Sequence, residues 1–479
     1  MSVQKIFLNT ILQSVGKVIS VAIGLGTIAF LTRFLGDEGF GEYTTVIAFM
    51  GFFGILADLG LYLVTTQEIS REGADESKIL GNVFFLRFLT VVTMLVIGAV
   101  LALFFPYSAE VKQSMFLAIV AFAFVSGTQV LVGVFQKHLI FYKLIGSEII
   151  QRLVNLGLVV LFIKQDLGIL HFILALAVSN GVHFFISMSM AQRITPFTLQ
   201  LDFAFWKNIL AKSWPLGFSV VLNLIYFRAD TLILSYFKPP TDVGVYGLSY
   251  KILEVLMAFP AMFAGLIMPF LARYAFKEWS RYKKYLQNSL NAMFLVIVPM
   301  IIVTLFFARP IINLVGGDGF VGADKVLQIL IFATALIYLG NLFGYTVVAL
   351  NAQKKMLWGY GAGAVVGLLL YFVLIPRFSY FGAAFATLAV ELIVFIFAYL
   401  VTGRASNFYP SISALFKALL AAIPMVGFFY YVQTQWVAEA LSGLAIYTIF
   451  LFILKAVPRD FISEVIKKRE PVALPSSFE

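Results

Sequence analysis

Fourteen stretches of roughly twenty mostly apolar residues follow one another along the chain, and no other feature limits its fold as severely. They fall at 9–34, 43–66, 79–105, 114–136, 145–163, 168–190, 213–236, 245–271, 286–307, 325–350, 356–376, 381–402, 414–433 and 438–455. At about 1.5 Å of helical rise per residue, each is long enough to cross a hydrocarbon core of about 30 Å. In lipid each must satisfy its own backbone hydrogen bonds, which leaves helices as the workable form. The expected fold class is an all-α integral membrane protein of about 14 transmembrane helices. Composition agrees: 61% of the 479 residues are hydrophobic and 12% are charged, against about 25% charged in soluble chains. The apolar run after Lys5 is interrupted by Lys17 and has no small-residue cleavage site after it. It therefore reads as a retained first span, not a signal peptide.

The cations test this layout. Numbering the loops alternately from the inside puts 22 Lys and Arg in one set and 7 in the other. A wrong span count would scramble that bias. The expected localisation is therefore the cytoplasmic (inner or plasma) membrane, multi-pass, with both termini cytoplasmic. The +10 net charge is accounted for by these loops, so no nucleic acid partner is expected. Without cysteine there is no disulfide or thiolate site, and the three histidines, His138, His171 and His183, are scattered. No metal and no cofactor are expected. Two segments have amphipathic spacing and are expected to lie on the inner membrane surface. One is 201–212, with Phe205 and Ile209, and Trp206 and Leu210, at i,i+4. The other is the tail after Pro458, with Phe461, Ile462, Val465 and Ile466 opposite Lys467 and Lys468.

A pattern also recurs along the chain. Gly41-x-Tyr43 and Gly244-x-Tyr246 both stand where the chain turns back into the membrane. Gln136-Lys137 resembles Gln353-Lys354, and Leu167-Gly-Ile169 resembles Phe381-Gly-Ala383. Matches in this order suggest a duplicated six-span unit. Because six is even, the halves would share an orientation and enclose a central cleft. The expected organisation is an N-lobe at 1–200, a C-lobe at 201–405, and spans 13 and 14 with a cytoplasmic amphipathic tail at 406–479.

The stretch Leu31-Thr-Arg-Phe-Leu-Gly-Asp-Glu-Gly-Phe-Gly-Glu-Tyr43, then Asp58-Leu-Gly-Leu-Tyr62, Val243–Glu254 and Gln353-Lys354, resembles the polysaccharide-biosynthesis flippases of O-antigen type. These belong to the multidrug/oligosaccharidyl-lipid/polysaccharide exporter superfamily. The resemblance covers nearly the whole chain. It implies two six-helix lobes, alternating access, and a polyprenyl-pyrophosphate-linked oligosaccharide as cargo. Expected partners are that lipid-linked oligosaccharide and membrane lipid, with glycan polymerase or ligase machinery as a further candidate. It supplies no catalytic motif, so no catalytic residue is carried over.

Five cations lie inside spans: Lys17, Arg87, Arg152, Arg228 and Lys251. A cation at mid-membrane costs roughly 2.5–3.5 kcal/mol on insertion scales, so such residues are expected to face a wet cavity or a partner. Lys17, Arg87, Arg152 and the acid Asp58 fall at similar depth in four spans of the first half. Together they form a net positive patch suited to a pyrophosphate. The bland alternative is that the two arginines snorkel to the interface and Lys17 pairs with Asp58. In the second half, cross-helix pairs Asp230–Lys251 and Arg228–Glu254 are geometrically sensible. Glu391 stands alone in its span. Asp230, Glu254 and Glu391 are ion-pair or coupling candidates, and the other six residues are candidates for binding cargo in the cleft.

Three functions compete: the flippase, a cation-coupled drug antiporter of the same superfamily, and a membrane enzyme such as a polysaccharide polymerase. Five buried cations against four clear buried acids favour an anionic cargo. An enzyme would need a sizeable outer loop, and the longest here, near Pro310–Asp324, is short and lacks histidine. No Walker motif is present, so nucleotide hydrolysis is not expected.

Overall fold

The computed structural model describes residues 3–456 other than 59, 72, 139 and 433, and every regular element among them is a helix. In order these are α1 (Val3–Leu56), α2 (Leu61–Ile69), α3 (Glu76–Ala102), α4 (Ala109–Lys137), α5 (Phe141–Lys164), α6 (Ile169–Ile194), α7 (Phe203–Phe237), α8 (Pro240–Tyr274), α9 (Trp279–Gly316), α10 (Ala323–Ala349), α11 (Gln353–Ser406), α12 (Ser413–Tyr431) and α13 (Trp436–Ile453). Eleven of them are long and apolar enough to cross a membrane. Short polar side chains start several: Asp75 accepts from the Lys78 amide, Ser108 from Val111 and Asp202 from Phe205. Each satisfies one of the orphan amides at a helix start. The amphipathic tail expected beyond Pro458 lies outside the described residues.

α1 and α11 have 54 residues each. A straight helix of that length would run about 80 Å, more than twice the hydrocarbon core. Each instead reverses at one residue of positive φ, Gly36 at 67° and Ser379 at 50°. Glycine takes that conformation without a Cβ penalty, while the Ser379 hydroxyl donates to the Asp242 carboxylate. Contacts show both reversals. Gly16 and Gly24 lie against Ile145 and Arg152, so the first limb of α1 runs parallel to α5. Beyond Gly36, Phe53 packs on Gly98 and the Ala57 carbonyl accepts from Thr90, so the second limb runs antiparallel to α3. In α11, Gly363 meets Val394, and the hydroxyls of Tyr371 and Thr387 lie 3.5 Å apart. α1 and α11 thus have two limbs each.

The turns gather at two ends. Tyr107 meets Ser235 at 2.9 Å, Thr32 donates to the Val315 carbonyl, Lys238 to that of Pro376, and Glu110 sits beside Gly168. These are the cation-poor turns. At the other end of the first half, Glu76 accepts from Lys137 and Thr195, Lys78 pairs with Asp202 at 3.1 Å, and Lys212 with Glu68 at 3.1 Å. The Phe205 amide and Lys78 hold the Asp202 carboxyl below the usual carboxylate range.

Two compact units emerge from the contacts. One comprises 1–248, 312–323 and 364–387; the other comprises 249–311, 324–363 and 388–479. In the first, an apolar core unites α2, α3, α4 and the start of α7 around Leu80, Leu131, Phe135 and Trp206. In the second, α9, α12 and α13 pack around Phe307, Met425 and Phe429.

One local expectation needs correction. The 201–212 segment does not form a separate surface helix. From Phe203 onward it is continuous with the following span, and its apolar face is buried in protein. Trp206 stacks on Phe85 at 5.8 Å and Ile209 is buried, because α3 offers an aromatic face within reach. Prolines 260 and 269 lie within α8, and α9 has non-helical geometry at Phe307. Pro310, three residues on, lacks an amide and crowds the preceding turn.

Candidate transport site

The charges that residues 1–200 carry within their spans resolve into two clusters. In the first, the Lys17 ammonium donates to the Glu148 carboxylate at 2.9 Å, and Ser20 donates to the same oxygen at 2.8 Å. Arg152, one helical turn on from Glu148, lies 4.0 Å from that oxygen. The side chains of Lys17 and Arg152 remain 44% and 39% exposed. The buried Arg152 Nε has no hydrogen-bond partner, and neither has His183 Nε2. Two cations thus share one carboxylate, and a guanidinium N–H is left to donate. Glu148 is what holds them together, and Lys17 does not pair with Asp58.

Asp58 belongs to the second cluster. It forms an ion pair with Arg87, whose Nε donates to Ser126 at 2.8 Å and whose NH2 donates to Gln129. Arg87 is 1% exposed. The arginine neither snorkels nor stands open; its charge is neutralised where it lies. A buried pair of this kind fixes the helices that carry it more than it attracts an external anion.

Asp230 is buried in α7, and its partners are hydroxyls and an amide. Tyr246 donates to it at 2.6 Å, the Thr231 amide at 2.6 Å, the Thr231 hydroxyl at 3.2 Å and Thr387 at 3.4 Å. Arg228 is near enough for its charge to act on this carboxylate. Lys251 does not serve Asp230: it pairs with Glu254 on its own helix at 2.8 Å. The i,i+3 spacing explains this, since such residues share a helix face. Glu391 is buried in the second limb of α11, where its charge reaches Tyr360.

Ser20, Ser126, Gln129, His183 and Thr387 are site neighbours that sequence reasoning does not reach, because neutral residues on apolar helices carry no charge signal. Tyr246 stands out in the sequence only as a repeat marker, yet its hydroxyl is the closest side-chain donor to Asp230.

The glycines of the two Gly-x-Tyr motifs meet face to face at the cation-poor end. A Cβ on Gly41 would sit 1.7 Å from the Pro240 carbonyl oxygen and 2.9 Å from the Gly244 nitrogen; one on Gly244 would sit 2.0 Å from the Asp37 carbonyl oxygen. Thr44 packs on Gly247 beside them. Only residues without a side chain allow backbones to approach this closely.

The second unit holds an apolar groove of about 870 Å³ between α8, α9, α10 and α13, lined by Phe259, Pro299, Met300, Tyr338 and Tyr447 among others.

Known proteins resemble this chain in sequence and fold. The model of the family described as "Polysaccharide biosynthesis protein" matches residues 6–275, and the MatE model matches 215–373. A protein of Escherichia coli (strain K12) named "Putative O-antigen transporter" is 25% identical over 81% of this chain and 94% of its own length. One of the same name from Shigella flexneri is 22% identical over 78% and 92%. Among solved structures, the lipid II flippase MurJ in an inward closed conformation superposes with a TM-score of 0.79 at 14% identity, covering 94% of this chain and all of that one. A Vibrio cholerae MATE transporter, VcmN, superposes at 0.58 with 15% identity over 84% and 97%. The structural matches establish the fold, and the family model covers more than half of the chain. The chain therefore belongs to the polysaccharide biosynthesis protein family, membrane transporters of the multidrug/oligosaccharidyl-lipid/polysaccharide exporter superfamily.

Proposed function

We propose that the protein is a flippase that moves a polyprenyl-pyrophosphate-linked oligosaccharide across the cytoplasmic membrane by alternating access, with both termini cytoplasmic. The observation that carries this reading is the cluster at Glu148. Lys17 and Arg152 bring two positive charges to one carboxylate, stay partly exposed, and keep an unpartnered guanidinium N–H. Phosphate oxygens are the natural acceptors for such donors. Arg228 and Lys251 extend the cationic character through the second repeat. Arg87 and Asp58 act as a neutral strut behind the site. The apolar groove beside α13 offers a path for the polyprenyl chain. In this reading the lobes are 1–200 and 201–405 around a central cleft, with 406–479 appended.

One observation favours the alternative, a cation-coupled antiporter. Asp230 gathers hydroxyls from Tyr246, Thr231 and Thr387, an arrangement able to hold a proton or a small cation. The same site could equally supply the flippase's driving force, so cargo binding decides between the two. Purified full-length protein should bind polyprenyl pyrophosphate more tightly than polyprenol or an organic cation. Each charge-assisted bond is worth roughly 1.5–3 kcal/mol, so Lys17→Ala and Arg152→Ala should each weaken pyrophosphate binding by about 10- to 100-fold. Equal affinity for the pyrophosphate and the bare polyprenol would remove the phosphate site and leave the antiporter reading.

A further inference from the structure

We infer that the turn joining α8 to α9 is a binding surface for anionic phospholipid headgroups of the membrane face on which it lies. Residues 273–284 hold five cations, Arg273, Lys277, Arg281, Lys283 and Lys284, and a single acid, Glu278. Here Glu278 takes Arg281, at 2.9 Å, and no second acid is present in the turn.

The charges are also mounted rigidly. Arg273 and Arg281 lie over the ring of Tyr274 at 5.7 and 5.5 Å, and Lys283 lies over Trp279 at 5.8 Å and Phe408 at 5.3 Å. Those rings are stacked in turn, Tyr274 on Tyr285 at 5.5 Å and Trp279 on Tyr282 at 4.7 Å. Cations seated on an aromatic ladder lose little freedom when they bind, unlike lysines on a loose loop. At the tip, Phe276 is 70% exposed and Trp279 36%. Aromatic groups exposed beside cations suit the boundary between acyl chains and headgroups, where rings insert and charges meet phosphates. Excess positive charge, rigid presentation and an apolar tip together fit a lipid phosphate layer better than a soluble anion, which would use the charges and leave Phe276 in water. The inference does not depend on the cargo.

Native mass spectrometry of the full-length protein in detergent, titrated with short-chain phosphatidylglycerol or phosphatidylcholine, tests it. Each cation near an anionic surface contributes about fivefold, so Lys277, Arg281 and Lys284 together should give wild type about a 100-fold preference for phosphatidylglycerol. The variant Lys277→Gln/Arg281→Gln/Lys284→Gln should lose that preference. Lys112→Gln/Lys164→Gln, in the cation-poor set of loops, should keep it. Melting and elution profiles report folding, and Lys277→Gln alone, at the exposed tip, should cost about fivefold if the triple variant is unstable. Equal binding of the two lipids by wild type would overturn the inference, as would an unchanged preference in folded variants. Displacement of phosphatidylglycerol by equimolar inorganic pyrophosphate would also overturn it, by assigning the surface to a free phosphate.

Discussion

Adding one methyl group to Gly41 should force open the cation-poor end of the protein. The new Cβ would fall 1.7 Å from the Pro240 carbonyl oxygen and 2.5 Å from its carbon. A carbon needs about 3.3 Å from such an oxygen, so the two turns would have to part by roughly 1.5 Å. Overpacking costs about 1–3 kcal/mol, and with backbone on both sides of the contact the upper end applies. A penalty of about 3 kcal/mol against the closed end shifts an open–closed equilibrium by about 150-fold. Gly244→Ala should act the same way, since its Cβ would meet the Asp37 carbonyl at 2.0 Å. The pair should fall short of additivity because both relieve one contact. The chain has no cysteine, so Thr44→Cys, at a position 9% exposed against Gly247, is a clean reporter. A membrane-impermeant maleimide should label it slowly in the parent and at least tenfold faster with Gly41→Ala or Gly244→Ala. Gly26→Ala, where nothing lies within 4 Å of the added Cβ, should leave the rate unchanged. Parent-like labelling in folded Gly41→Ala and Gly244→Ala proteins would show that the glycine contact does not hold this end shut.

Other parts of the account are as exposed to test. Reporter fusions after Lys284 and Lys355 should read cytoplasmic, and fusions after Lys238 and Arg377 external; one clear reversal would break the topology. Arg87→Ala should destabilise the protein by about 3–5 kcal/mol because it strands Asp58, whereas Arg87→Met with Asp58→Asn should recover most of that loss in a melting assay. Equal losses in the single and double variants would mean that the pair is not the source. Superposing spans 1–6 on spans 7–12 in an experimental structure should bring Tyr43 onto Tyr246 and Gln136 onto Gln353; different helix ends for these pairs would dismiss the duplication.

The crossings were legible because lipid leaves a chain few choices. Apolar length marks the long helices, and the hidden reversals of α1 and α11, at Gly36 and Ser379, fall in turns expected between apolar runs. The interfacial reading of 201–212 failed for a different reason. Amphipathic spacing states that a face will be covered and leaves open whether by lipid or by Phe85. The charged site was half legible. Cations and acids inside apolar spans stand out by their cost, so Lys17, Arg152, Asp58 and Asp230 are visible one by one. Their pairing is not, because it depends on which helices adjoin. Glu148 lies at a span end, where an acid costs little, yet it is the residue that joins Lys17 to Arg152. The hydroxyls around Asp230 are silent because neutral residues on apolar helices carry no charge signal. The glycine contact shows the opposite case, in which residues marked by repetition acquire a physical reason once Gly41 and Gly244 are seen against each other.

The most direct test of the central claim is translocation itself. Full-length protein in liposomes carrying a fluorescent polyprenyl-pyrophosphate oligosaccharide in one leaflet should expose the label to a membrane-impermeant quencher or lectin on the other side. Wild type should transfer it. Lys17→Ala and Arg228→Ala should stop transfer while remaining inserted and folded, and Arg228→Lys should retain part of it, since it keeps the charge and loses the two-pronged geometry. Transfer at wild-type rate by both alanine variants would contradict a cationic pyrophosphate site, and absence of transfer by wild type beside active transport of an organic cation would contradict the flippase reading.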